Sequence, residues 1–225
     1  MKIALEAMST KPLHAGHYGL IMIAVKECDE VHLYVSTSDR ARPGEIPILG
    51  SDMLKIWKQY IEPTLPSNVR VTYGGSPIGN IYKELGDADK AHDKDTYVLY
   101  SDPEDMEVNF SDATLKKYCP NLKTVKRPVQ RTETVNVSGT KMRQFIEKGD
   151  MKSFIKNMPK NVDARAIWDI LKATADNPPE VKKTAAAKTA KKKIAPTSES
   201  LLRRYVKEVL KLSVYSRHVS YDQQR

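Results

Sequence analysis

Two histidines stand one helical turn apart near the start of the chain, in the stretch Lys11-Pro12-Leu13-His14-Ala15-Gly16-His17. Imidazoles at this spacing can donate hydrogen bonds to phosphate oxygens whose charge grows during transfer. The preceding KIALEAM reads as a strand and residues 16–26 as a helix, so the pair falls on a strand-to-helix turn. A helix N-terminus presents unpaired N–H groups and a partial positive charge, and both attract an anion. Gly16 removes a side chain where a ligand would approach the backbone, and Pro12 stiffens the way into the turn. Taken alone, the same residues also describe two surface histidines at a helix cap.

A second turn of this kind lies downstream, in Ser138-Gly139-Thr140-Lys141-Met142-Arg143. Ser138 and Thr140 can cap a helix, and the amides opening it form a second phosphate site. Arg143, one turn in, adds a planar, permanent positive charge. A plain N-cap with a surface arginine is the competing reading. Arg127 and Arg131 precede the turn and can hold a substrate phosphate or belong to a solvated basic loop. Ser36, Ser38, Asp39 and Arg40 follow the second strand, where they can meet an acceptor substrate or form an ordinary loop. His32 alternates within a strand as a structural residue, His92 lies in a charged loop and His218 near the end. Trp57 belongs to an apolar core stripe.

The elements that must position these residues alternate regularly. VHLYVST, VRVTYG, TYVLYS and LKTVKR follow KIALEAM as strands. Between them the apolar periodicity predicts helices over 53–61, capped by Ser51 and Asp52, over 78–85, and over 113–119, capped by Ser111 and Asp112 and stopped by Pro120. Two more helices are expected over 139–148 and 162–175, with MKSFIKNM joining them. Strands alternating with helices imply βαβ units. The expected fold is therefore α/β, a Rossmann-like doubly wound parallel five-stranded sheet with C-terminal helices. Ligands in such sheets lie beyond the carboxyl ends of the strands, where the strand order switches.

His-x-Gly-His after the first strand, combined with Ser-x-Thr-x-x-Arg opening a helix after the fifth, resembles the nucleotidylyltransferase superfamily. That group includes nicotinamide-mononucleotide adenylyltransferases, phosphopantetheine adenylyltransferases and cytidylyltransferases. The resemblance spans roughly residues 1–150. It implies that His14 and His17 contact a nucleoside triphosphate and stabilise the transition state, over the backbone at Gly16. It also implies that Ser138, Gly139, Thr140 and Arg143 hold the β- and γ-phosphates, and that Mg²⁺ is carried by the triphosphate rather than by a protein metal site. Asp102, after the fourth strand, stands where an acidic residue often lies near the nucleotide; a turn aspartate before proline is the alternative. Met8 replaces a usual glycine and Thr10 a common aromatic residue. Lys11 stands where many members have Asp or Gln, and can itself reach a phosphate. Arg131-Thr132-Glu133 is similar to a cytidylyltransferase motif, but seven positions separate Arg131 from Ser138, where that motif has five. The Ser-Gly-Thr-x-x-Arg half looks more like the adenylyl-transferring branch. The implied activity is transfer of AMP from ATP to a phosphorylated small molecule, preferably nicotinamide mononucleotide to give NAD, with release of pyrophosphate. Cytidylyl transfer to a phosphorylated alcohol is the nearest alternative.

The 225 residues carry a net charge of +9, but residues 180–225 hold twelve Lys and Arg against four Asp and Glu, so +8 of it lies there. The body is near neutral, and nucleic acid is not the partner expected for it. Four segments follow: a catalytic domain over 1–158, a helical extension over 159–179, a Lys/Ala-rich linker over 180–197 and a basic amphipathic helix over 198–225. The last can dock on an acidic protein groove or an assembly, on a membrane surface or on nucleic acid; a plain self-packing C-terminal helix is the competing reading. A non-catalytic module tethered through this tail is therefore the alternative from a different functional class. No apolar run spans a membrane, the N-terminal apolar stretch is too short for a signal-peptide core, and two cysteines form neither a disulfide framework nor a metal-ligand pattern. A cytoplasmic setting is expected.

Overall fold

A computed structural model describes residues 1–178 except Thr10, Lys11, Pro43, Arg131 and Thr132. The phosphate contacts expected of Lys11 and Arg131, the linker over 180–197, and the helix over 198–225 with His218 lie outside the described residues. The chain divides into two units, Met1–Pro179 and Glu180–Arg225.

Five strands form one parallel sheet: β1 (Lys2–Met8), β2 (Glu30–Val35), β3 (Val69–Tyr73), β4 (Thr96–Ser101) and β5 (Lys123–Pro128). Their order is β3-β2-β1-β4-β5, with β1 central. Ala4 pairs in register with Val31 and Met8 with Val35 on one side, and Glu6 pairs with Tyr100 on the other. The order reverses between β1 and β4, which defines a Rossmann-like doubly wound sheet.

Both faces of the central strands are covered, which is why β1 and β4 are apolar at nearly every position. On one face Ala4, Met8, Leu33, Val35 and Val98 pack beneath α1 (Ala15–Glu27), α2 (Gly50–Ile56), α6 (Gly139–Lys148), α7 (Met151–Lys156) and α8 (Ala164–Asp176). On the other, Ile3, Leu5, Tyr97 and Leu99 meet α3 (Pro77–Lys90), α4 (Pro103–Asn109) and α5 (Asp112–Tyr118). Ile167, Trp168 and Leu171 of α8 are buried in the first core, and Trp168 meets Phe154 edge-on at 5.3 Å. Residues 164–176 thus pack as part of the sheet's own covering layer.

Several element boundaries differ from the sequence expectation. α2 starts at Gly50, ahead of Ser51 and Asp52, and Leu49 gives it no side-chain cap. Its cap comes from the preceding loop instead: the Gly50 N–H donates to Asp39 Oδ1 at 2.7 Å. Asp52 is then free to accept the Thr174 hydroxyl of α8. After Ile56 the helix widens into a π-type turn over Trp57–Ile61, followed by a 3₁₀ turn over Glu62–Thr64 that contains Pro63. α3 runs to Lys90, well beyond 85, with Ser76 as its cap and Pro77 at its first position. α4 and α7 are additional short helices in segments read as a turn and a connector. No helix among the described residues is long and apolar enough to cross a membrane.

Candidate active site

β1 ends at Met8, and α1 begins on the histidine turn. His14 is the N-cap in extended backbone, and its Nδ1 accepts the His17 N–H at 3.4 Å. A ring that accepts at Nδ1 carries its proton on Nε2 when neutral. The His14 and His17 rings stack with centroids 3.8 Å apart and planes inclined by 21°. The Ala15 N–H is taken by the Asn157 carbonyl at 2.9 Å. The Gly16 N–H therefore remains as the first-turn amide without a partner among the described residues. His14 is buried. His17 reaches the cavity, but its Nδ1 is buried and lacks a hydrogen-bond partner among the described residues. Burial lowers the pKa of His17 to about 4 against the opposing pull of Asp102, so it is neutral at pH 7.

The second turn faces the first. Ser138 caps α6 by accepting the Lys141 N–H at 3.3 Å, which leaves the earlier amides at Gly139 and Thr140 directed out of the helix end. The loop before α6 lies directly on α1: a Cβ on Gly16 would stand 2.7 Å from the Val135 carbonyl oxygen, and one on Gly19 3.2 Å from the Thr134 side chain. The protein itself thus fills the space beside Gly16. From β4, Asp102 caps α4 by accepting the Asp105 N–H at 2.9 Å. A cavity of about 270 Å³ at the carboxyl ends of β1 and β4 is lined by His14, Gly16, His17, Asp102, Ser138 and Gly139, among others. A larger open groove of about 770 Å³ runs along α3 and β3 and holds none of these residues.

Thr140 and Arg143 do not line the cavity. The Arg143 guanidinium donates to Thr140 Oγ1 at 3.0 Å and pairs with the Glu45 carboxylate, with Nε 3.2 Å from Oε2. Arg127 is held by Glu27 and Glu133, so it anchors the loop before α6 to α1. Ser36 and Ser38 bond to one another at 2.9 Å. His32 sits between Glu84 and Glu30, and the Glu84 hydrogen bond raises its pKa despite partial burial. Trp57 is fully buried in the core. Two residues the sequence does not flag are Glu45, 98 positions from its partner Arg143, and Glu6. Glu6 is fully buried in the central strand, and neither carboxyl oxygen has a partner among the described residues. No local pattern announces a pairing at such a distance, and Glu6 interrupts an apolar strand without any motif around it.

The doubly wound sheet with its cleft at the β1–β4 switch defines the class: a Rossmann-like α/β protein with two helix N-termini converging on one cavity. Among solved structures the chain is similar to a protein provisionally assigned as a nicotinate-nucleotide adenylyltransferase from Vibrio parahaemolyticus. The identity is 14%, the match covers 76% of this chain and 97% of that one, and the TM-score is 0.49. It is also similar to TmcAL from Thermotoga maritima, solved with α-thio ATP bound, at 12% identity over 79% of this chain and 56% of that one, with a TM-score of 0.41. Likeness of this degree carries no inference about activity. No protein-family profile and no curated protein matches the chain.

Proposed function

We propose that the chain is a nucleotidyltransferase that moves AMP from ATP to a phosphorylated small molecule, with nicotinamide mononucleotide the preferred acceptor and pyrophosphate the leaving group. The observation that carries this reading is the stacked His14–His17 pair, set across one 270 Å³ cavity from Ser138 and Gly139 at the start of α6.

The chemistry follows from positioning and charge. An oxygen of the acceptor's phosphate attacks the α-phosphorus of ATP, the bond to the bridging oxygen breaks, and pyrophosphate departs; no protein nucleophile is required. His14, protonated on Nε2, donates to an oxygen of the reacting phosphate. The Gly16 N–H at the positive end of α1 does the same. His17 lines the same cavity as a neutral imidazole, placed to meet the reacting phosphate when the site is filled. The amides at the start of α6 face the departing pyrophosphate, with Arg143 behind them. Magnesium would be held chiefly by the triphosphate's own oxygens, with Asp102 and Asp105 the carboxylates on the cavity wall. Among the described residues no three His, Cys, Asp or Glu side chains cluster as a metal site. The ion would neutralise charge on the departing pyrophosphate.

The test is pyrophosphate release with ATP or CTP, Mg²⁺ and a panel of phosphorylated acceptors headed by nicotinamide mononucleotide. Release that needs ATP and that acceptor supports the full reading. Release with CTP and a phosphorylated alcohol replaces its substrates and keeps its class. A folded protein that releases nothing and binds neither nucleotide is not an enzyme of this kind.

A further inference from the structure

Behind the start of α6 lies an arrangement that the transfer reaction does not itself require. The loop after β2 folds back as a hairpin: Arg40 and Ile48 exchange backbone hydrogen bonds of 2.8 and 2.9 Å. The hairpin presents Glu45, whose carboxylate is gripped by two guanidinium groups. Arg40 binds it bidentately, Nε to Oε2 at 3.0 Å and NH2 to Oε1 at 3.1 Å. Arg143 approaches the same two oxygens, Nε to Oε2 at 3.2 Å and NH2 to Oε1 at 3.4 Å.

Arg40, Arg143 and the nearby Arg42 all act on this one carboxylate. Burial and repulsion from Arg40 both lower the pKa of Arg143, so holding the two guanidinium groups together is costly without an anion between them. Partial desolvation opposes ionisation of Glu45, but the Arg40 bond and the three cations outweigh it and keep its carboxylate anionic. The cluster is linked to the cavity wall through α6: Arg143 is bonded to Thr140, which follows Gly139 of the wall in sequence. Paired guanidinium forks match the oxygens of a phosphate as well as those of a carboxylate, and a phosphate brings more charge.

We infer that Arg40 and Arg143 form a two-guanidinium seat for the terminal phosphate of a nucleoside triphosphate, and that Glu45 occupies this seat as an internal stand-in until the nucleotide displaces it. The inference rests on the triphosphate reading of the site. It adds Arg40 as a phosphate ligand and makes the hairpin a competitor for its own substrate's position. A competitor that fills the seat most of the time weakens apparent affinity by the fraction of time the seat is open.

The experiment is calorimetric binding of ATP and of inorganic tripolyphosphate to the full chain and to Glu45→Gln, Glu45→Ala and Arg40→Gln, each checked for a retained unfolding transition. Removing the stand-in charge should tighten binding of both probes by roughly 3- to 10-fold. Arg40→Gln should weaken it by about 10-fold, as expected for a lost charge-assisted contact. A merely structural Glu45, holding Arg143 in place, gives the opposite sign: both Glu45 variants bind more weakly. Wild-type binding with Glu45 variants that bind equally or more weakly overturns the inference and leaves the nucleotide site intact. A folded wild type and folded Glu45 variants that bind neither probe overturn both.

Discussion

Gly16 and Val135 meet so closely that a single methyl group on the glycine would stand 2.7 Å from the Val135 carbonyl oxygen. The contact joins the histidine turn to the loop that leads into α6, so the relative position of the two turns proposed to meet the triphosphate depends on a missing side chain. Gly16→Ala must push that loop outward. Alanine is intrinsically better in a helix by about 1 kcal/mol, which offsets part of the strain, so the unfolding temperature should change little. Turnover should fall by roughly 10-fold or more, because displacing a positioning element by a fraction of an ångström misaligns the reacting groups. Parallel melting curves and initial rates of pyrophosphate release check this; unchanged rates would mean the loop position is irrelevant.

Gly50→Ala should behave in the opposite way. Its Cβ would fall 1.6 Å from the Thr37 carbonyl oxygen, with no flexible side chain to give way. The Gly50 N–H bond to Asp39 would be lost with it. The expected cost is more than about 2 kcal/mol of stability, read from urea unfolding, and a variant within 0.5 kcal/mol or so of wild type would contradict the close packing of the loop after β2 on α2.

Glu6 makes stability depend on pH. Complete burial, with no partner for either carboxyl oxygen among the described residues, raises its carboxyl pKa well above the ordinary 4.5, so the folded protein holds this proton more tightly than the unfolded chain. The resulting stabilisation is fully present below about pH 4.5 and is lost as pH rises through the folded value. Replacing the group with an apolar chain of similar length removes the penalty: Glu6→Met should gain about 1–3 kcal/mol at pH 8 and flatten the profile. A variant with the wild-type slope would show that the dependence arises elsewhere.

His17 contributes with the opposite sign. Its pKa is lowered from 6.5 to about 4, mainly by burial. Stability from the neutral ring is present above pH 6.5 and is lost as pH falls through 4. Proton NMR of the ligand-free protein should show one imidazole titrating near pH 4. Five histidines with ordinary midpoints would contradict the buried placement of this ring.

The parts of this arrangement that were legible in the sequence are those governed by local rules. Strand and helix alternation predicted the five-stranded parallel sheet, and its switch point falls where His14, His17 and Asp102 stand. α6 starts at Gly139 because Ser138 caps it, a signal contained in four consecutive residues. α4 shows no period in its seven residues, although Asp102-Pro103-Glu104-Asp105 carries a cap, a first-position proline and acidic first-turn residues. The start of α2 is not legible locally because its cap, Asp39, lies eleven residues upstream. The Arg40–Glu45–Arg143 cluster joins the loop after β2 to α6. No window of sequence contains it; only the folded sheet brings its members together.

The most direct test of the central claim is the rate of pyrophosphate release from ATP and a phosphorylated acceptor by His17→Ala, compared with wild type at pH 7.5 and saturating substrates. Loss of a contact made to the reacting phosphate predicts a fall in kcat of roughly 10²-fold or more, with the unfolding transition retained. A folded His17→Ala protein that turns over at the wild-type rate would contradict the assignment of the histidine turn as the catalytic centre.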